Sequence, residues 1–158
     1  MNPFLKLAGN PLKFRFYLLS KIPSAFFTGV RIKSISEAKC AVTVPFKWFT
    51  TNPFHSTYFA CLSMAAEMST GALAMMHIYQ RTPSVSMLLI EMSGEYYKKA
   101  TGITTFLCKD GIALRDAVEE AISANGSNTI TVQTMGTNEE GELIATFTFT
   151  WSFKVRFK

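Results

Sequence analysis

Acidic residues are absent from the first 36 positions, which hold six basic ones: Lys6, Lys13, Arg15, Lys21, Arg31 and Lys33. The whole chain has a formal net charge of +5, to which Lys154, Arg156 and Lys158 contribute at the C-terminus. Such a balance either attracts anions (nucleic acid, anionic lipid, a phosphorylated small molecule) or forms a solvated basic rim. Cysteine is scarce: Cys40, Cys61 and Cys108 are odd in number, far apart and set in apolar runs, with no Cys-x-x-Cys and no Cys/His spacing. That pattern excludes a disulfide framework and a zinc site. No metal is expected, and the thiols read as reduced core residues of a cytoplasmic protein. The chain also lacks a helix-turn-helix or finger pattern, and its aromatics follow core-type alternation, so nucleic acid is not an expected partner.

Fixed charge is missing from a second region. Between Lys47 and Arg81 only Glu67 carries one, in the middle of an apolar run. Tyr58 to Met76 is long enough to be weighed as a membrane span. Central Glu67 and the polar or small Ser63, Ser69, Thr70 and Gly71 make it a buried core helix instead. The N-terminus is apolar and basic, but Lys21 and Pro23 interrupt it and no A-x-A site follows, so it does not read as a signal peptide.

What is present fits one globular domain over 1–158: 48% hydrophobic residues, 17% charged, no repeats. Pro3 to Leu19 reads as one or two short helices broken near Gly9-Asn10-Pro11. They either close one edge of the fold or lie weakly on a membrane surface. Ala25 to Lys33 and Lys39 to Val44 read as strands. The long helix is expected from Phe54 or His55 to Ile78, with Ser56 or Thr57 as its cap. Ser84 to Lys99 and Ile103 to Cys108 follow as strands, and Lys109-Asp110-Gly111 as a turn. In a short helix, Leu114, Ala117, Val118, Ala121 and Ile122 recur at three and four until Gly126 stops it. Thr129 to Met135 is a strand, and Asn138 to Gly141 a turn. The last strand alternates strictly, with Leu143, Ala145, Phe147, Phe149, Trp151, Phe153 and Val155 on one side and Thr146, Thr148, Thr150, Ser152, Lys154 and Arg156 on the other. A helix apolar all round must be covered all round. A curved antiparallel sheet wrapped around it, in an α+β fold, is the economical solution.

Glu67 shares its helix face with Ala60, Ser63, Thr70, Gly71, Ala74 and Ile78, most of them small. No basic residue stands within one turn to neutralise it. Its partner is therefore elsewhere in the fold, on another subunit, on a substrate, or a proton.

Asn52, Tyr58-Phe59-Ala60 and Glu67 carry the spacing N-x5-(three residues)-x6-acid. This resembles the N-x5-H-G-G-x6-D/E motif of the hotdog-fold acyl-CoA thioesterases, notably the phenylacetyl-CoA type and its uncharacterised relatives. The ending GELIATFTFTWSFKVRFK is also similar, and the likeness covers roughly residues 20–158. It implies a hotdog fold with an N-terminal helical extension, paired sheet to sheet as a homodimer or dimer of dimers with sites at the interface. It further implies Glu67 as general base or nucleophile on a thioester, with Asn52 orienting the loop or substrate. The amides of Tyr58, Phe59 and Ala60 would meet the carbonyl, beside Ser63 and Thr70. Lys98 and Lys99 would hold the phosphates of coenzyme A, which enters as substrate or ligand, without a further cofactor.

The chemistry agrees with those roles. An attacking oxygen needs a base, and the developing oxyanion needs preorganised donors such as the free N–H groups of a helix start. The sequence departs from the motif where His-Gly-Gly stands, and His55 lies three residues too early to replace the imidazole. His77, near the helix end, reads as a capping or core residue. The retained carboxylate favours catalysis, whereas the missing His-Gly-Gly favours a non-catalytic acyl-CoA or fatty-acyl binding module.

Overall fold

The computed structural model describes residues 2–156, so Lys158 of the basic terminus lies outside them. Three short helices open the chain: α1 (Pro3–Ala8), α2 (Pro11–Lys21) and α3 (Pro23–Thr28). Each begins with proline, whose fixed φ suits the first helical position. Asn2 and Asn10 cap the first two, the latter by accepting the Lys13 N–H at 3.0 Å. Phe4, Ala8, Phe14 and Leu18 are buried, so α1 and α2 do close the fold.

The strand expected from Ala25 is instead α3 followed by β1 (Arg31–Ile35). Pro23 starts a helical turn, and Gly29, at φ +80°, ends it in the left-handed conformation before the chain extends. β2 (Cys40–Val44) follows, then a 3₁₀ turn at Trp48–Thr50.

The long helix, α4 (Phe59–Ile78), starts four to five residues later than the sequence pattern suggested. Asn52 organises a loop rather than a helix. Its Oδ1 accepts the N–H groups of Phe54 and Ser56, and its Nδ2 donates to Ser56 Oγ. His55 has φ +56°, and the Thr57 N–H is spent on the Ala100 carbonyl. Neither Ser56 nor Thr57 caps α4; Tyr58 takes the cap position without a side-chain bond.

The remaining elements are β3 (Val85–Tyr96), β4 (Thr104–Cys108), α5 (Gly111–Ser123), β5 (Ser127–Thr137) and β6 (Leu143–Val155). All six strands form one antiparallel sheet in the order β1-β2-β4-β5-β6-β3. β6 is therefore flanked on both sides, by β5 and β3, and β1 and β3 are the edges. The alternation read along β6 holds: Phe147, Phe149, Trp151, Phe153 and Val155 are buried. A register shift at Gly136/Thr137 places Ile144, rather than Leu143, inside.

α4 lies against the sheet's apolar face, with α1 and α5 on its other sides. Its composition would allow a membrane span, at mean hydropathy 1.3, but most of its residues are buried in the fold. Cys40 and Cys108 face each other across β2 and β4, unbonded. Burial pushes their thiols up to about 12 and about 11, leaving them inert at neutral pH.

Candidate functional site

The residues singled out in the sequence fall into two separate cavities. The first is a cleft of about 590 Å³ at the start of α4, lined by Asn52, Tyr58, Phe59, Tyr96, Lys98 and Lys99 among others. The late helix start builds it. Because no side chain caps α4, the first N–H groups of the helix lack acceptors. The Tyr58 N–H donates to the Thr50 carbonyl at 2.6 Å, so this amide is not available to a ligand. The amides of Phe59 and Ala60 remain open, at the positive end of the 20-residue helix. The rings of Tyr58 and Phe59 meet edge-on, with centroids 4.8 Å apart, where the resembling family has a histidine followed by glycine.

Two lysines border the same cleft. Lys98 Nζ is 2.7 Å from Glu142 Oε1, and Lys99 Nζ donates to the Phe54 carbonyl at 3.4 Å. Both are exposed at its rim. All of Asn52's side-chain bonds stay within its own loop, which makes it a positioning residue for the helix start. His55 is exposed on that loop and does not line the cleft.

The second cavity, of about 230 Å³, contains Glu67. Phe14 and Tyr17 of α2, Met68 and Met75 of α4, Met87 of β3 and Trp151 of β6 surround the carboxylate. It forms no ion pair among the described residues. Burial alone pushes its carboxyl up to about 7. Gly71, one turn on, gives the carboxylate room: a Cβ there would lie 2.8 Å from Glu67 Oε1 and 3.4 Å from the Trp151 ring. Eight residues separate Phe59 from Glu67, roughly 12 Å along the helix axis.

Thr70 does not belong to a substrate surface. It is 0% exposed, its hydroxyl donates to the Glu67 carbonyl at 3.0 Å, and it accepts the Trp151 indole N–H at 3.0 Å. It anchors a wall of the Glu67 pocket. Ser63 Oγ donates to the Phe59 carbonyl and lies 3.5 Å from the Tyr96 hydroxyl, on the cleft side of the helix. The sequence reading missed Tyr96, Met87, Trp151 and the α2 residues as site walls. Trp151 was legible only as core, and nothing in the N-terminal segment pointed to Glu67.

The model of a family described as a domain of unknown function, DUF4442, matches residues 13–153. No curated protein matches the sequence. Among solved structures, a protein of unknown function from Pseudomonas aeruginosa, called a probable thioesterase, is similar at 19% identity and a TM-score of 0.78, over 93% of this chain and 97% of its own. A protein of unknown function from Chlorobaculum tepidum is similar at 15% identity and a TM-score of 0.77, over 94% and 99%. A thioesterase from Haemophilus influenzae is similar at 11% and 0.66, over 94% and 93%. At these identities the likeness establishes the fold: a hotdog, with α4 packed on the antiparallel sheet.

Proposed function

This chain belongs to the DUF4442 family, and we propose that it is a thioesterase-like hydrolase of acyl-CoA or acyl-carrier thioesters, a reading supported by the fold it shares with structures called thioesterases. One observation carries the reading: Glu67 is a carboxylate with no ion-pair partner among the described residues, in an apolar pocket that raises its pKa to about 7. A base poised there is half-ionised at neutral pH, and its proton affinity suits activation of water. The open amides of Phe59 and Ala60 supply the oxyanion donors, and Lys98 and Lys99 border the cleft where the coenzyme A phosphates would lie.

Within one chain these halves are apart, and a homodimer joins them. β3 is an exposed edge with Leu88, Ile90, Met92 and Tyr96 uncovered. Met92 and Tyr96 stand opposite buried Phe149 and Ala145, so β3's inner face there lacks its cover. Met87, near one end of β3, borders the Glu67 pocket, and Tyr96, at the other end, borders the cleft. Antiparallel pairing of two β3 edges brings the Tyr96 end of one chain beside the Met87 end of the other. Each helix start then faces Glu67 of the partner subunit. The buried, unpaired thiols fit a reducing compartment, and the proposed location is the cytoplasm.

The test combines two inactive variants. Glu67→Gln removes the base, and Phe59→Pro removes one open amide at a helical position where proline is tolerated. Each homodimer should be inactive towards an acyl-CoA panel, and the co-expressed mixture should regain free-thiol release. Loss in both with no recovery sinks the shared site. A wild type that binds acyl-CoA without releasing thiol makes the protein a binding module, the reading that the bulk of Tyr58 and Phe59 at the cleft favours.

A further inference from the structure

Helix α2 is apolar on both faces. Phe14 and Leu18 point into the core, while Leu12 and Phe16, on the opposite face, are 69% and 65% exposed, with Leu19 beside them. A helix at a fold's surface ordinarily presents polar residues there. The apolar surface continues across neighbouring elements. α2 packs on α3, and α3 on the 3₁₀ turn. Phe27 of α3 stacks on Phe49 at 6.0 Å, and Trp48 meets Phe49 edge-on at 5.2 Å. Trp48 is 82% exposed, in contrast to Trp151 at 4%.

Positive charge surrounds this surface and no acid interrupts it until Glu37. Lys13, Lys21, Arg31 and Lys47 are exposed, and none forms an ion pair among the described residues. Arg31 and Lys47 line one hollow of about 260 Å³ with Thr43, adjoining Trp48 in the chain. Arg31 also lies close enough to Arg15 to help lower that guanidinium's pKa, after the larger effect of burial. The acidic partners are elsewhere, as in Arg81–Glu119 and Lys98–Glu142.

We propose that the face formed by α2, α3 and the Trp48–Thr50 turn docks on an anionic phospholipid membrane. Leu12, Phe16, Phe27 and Trp48 would enter the interfacial layer, where an aromatic ring with a polar edge is favoured. The surrounding lysines and arginines would lie over the lipid phosphates, with Arg31 and Lys47 placed to share one. A second copy of the chain is a poor occupant, because two-fold self-pairing would set this basic surface against itself. Nucleic acid would use the charge but leave the aliphatic Leu12 and Leu19 unburied. The inference is independent of Glu67 and of any activity.

Co-sedimentation of the whole chain with phosphatidylcholine vesicles, with and without phosphatidylglycerol, tests it. Binding is expected only with phosphatidylglycerol, and should weaken as salt is raised. Tryptophan emission should shift to the blue on binding, and Trp48→Phe should abolish the shift, since Trp151 is already buried. Phe16→Glu should remove binding without changing the melting temperature. Arg31→Ala and Lys47→Ala should each weaken partitioning about fivefold while leaving the apolar face intact. Three outcomes would overturn the proposal: no binding, equal binding to neutral vesicles, or a Phe16→Glu variant whose mass by light scattering falls to that of a smaller oligomer.

Discussion

The two cavities along α4 differ in almost every physical property. The cleft at the helix start is open, carries two lysines at its rim and offers two backbone N–H groups. The Glu67 pocket, about two turns on, is smaller, walled by aromatic rings and methionines, and has no cation for its carboxylate among the described residues. One suits a developing negative charge and an anionic substrate, and the other suits a base held away from water. Each lacks what the other has. On the proposed reading a single chain holds the parts of a thioester site apart, and pairing at the bare β3 edge would join them.

The sharpest way to break this comparison is to remove the defining group from each side. Glu67→Gln should lower thioester hydrolysis by about 10²–10⁴-fold. Phe59→Pro should lower kcat by about 10²–10³-fold, the usual cost of one oxyanion donor. If only one of the two variants loses activity, the cavities do not serve one reaction.

Stability against pH separates the cavities next. Glu67's carboxyl is raised from 4.5 to about 7 in the folded chain, so folding favours its protonated form. Its favourable contribution is complete below pH 4.5 and is lost as pH rises through 7. Above that the ionised group costs on the order of 3 kcal/mol. Glu67→Gln should therefore match wild type in melting temperature near pH 5 and exceed it by roughly 5 °C or more at pH 8. A flat difference across that range would mean that the carboxylate has a partner. Catalysis should follow the same group in the opposite sense, rising as pH passes upward through about 7.

Thr70→Val sharpens the contrast between wall and site. It leaves the buried Trp151 indole N–H without an acceptor, at a cost of roughly 1–3 kcal/mol in chemical denaturation. Any fall in hydrolysis should be small beside that of Glu67→Gln. The smallest effect is expected at the cleft rim. Lys98→Ala should raise KM for an acyl-CoA roughly two- to fivefold, with the difference vanishing at high salt. It should leave kcat and melting temperature unchanged.

Much of the architecture was legible because it rests on local periodicity. The all-apolar run ending at Ile78 had to be a core helix, and the alternation from Ala145 to Val155 had to be a strand with one buried face. Glu67 was conspicuous for the same local reason, as the single fixed charge between Lys47 and Arg81. The errors came where local signals compete. Ala25-Phe26-Phe27 suits a strand as well as a turn of helix, and Pro23 and Gly29 decided for the helix. Ser56 and Thr57 are good caps by type, but Asn52 had already tied that stretch into a loop.

What the sequence determined by itself was an α+β chain with one buried carboxylate, a basic and acid-free start, and no metal-binding pattern. The tertiary structure decided what each of these faces. It withdrew Tyr58's amide by bonding it to Thr50, and it turned Thr70 from a surface residue into the acceptor for Trp151, 81 positions away. It enclosed Glu67 with α2, a segment that carries no signal of the site, and it left Leu12, Phe16 and Trp48 facing outward. The reason is physical. A residue's preference for helix or strand is set by its neighbours along the chain, whereas its pKa, its hydrogen-bond partners and its exposure are set by groups that only folding brings near.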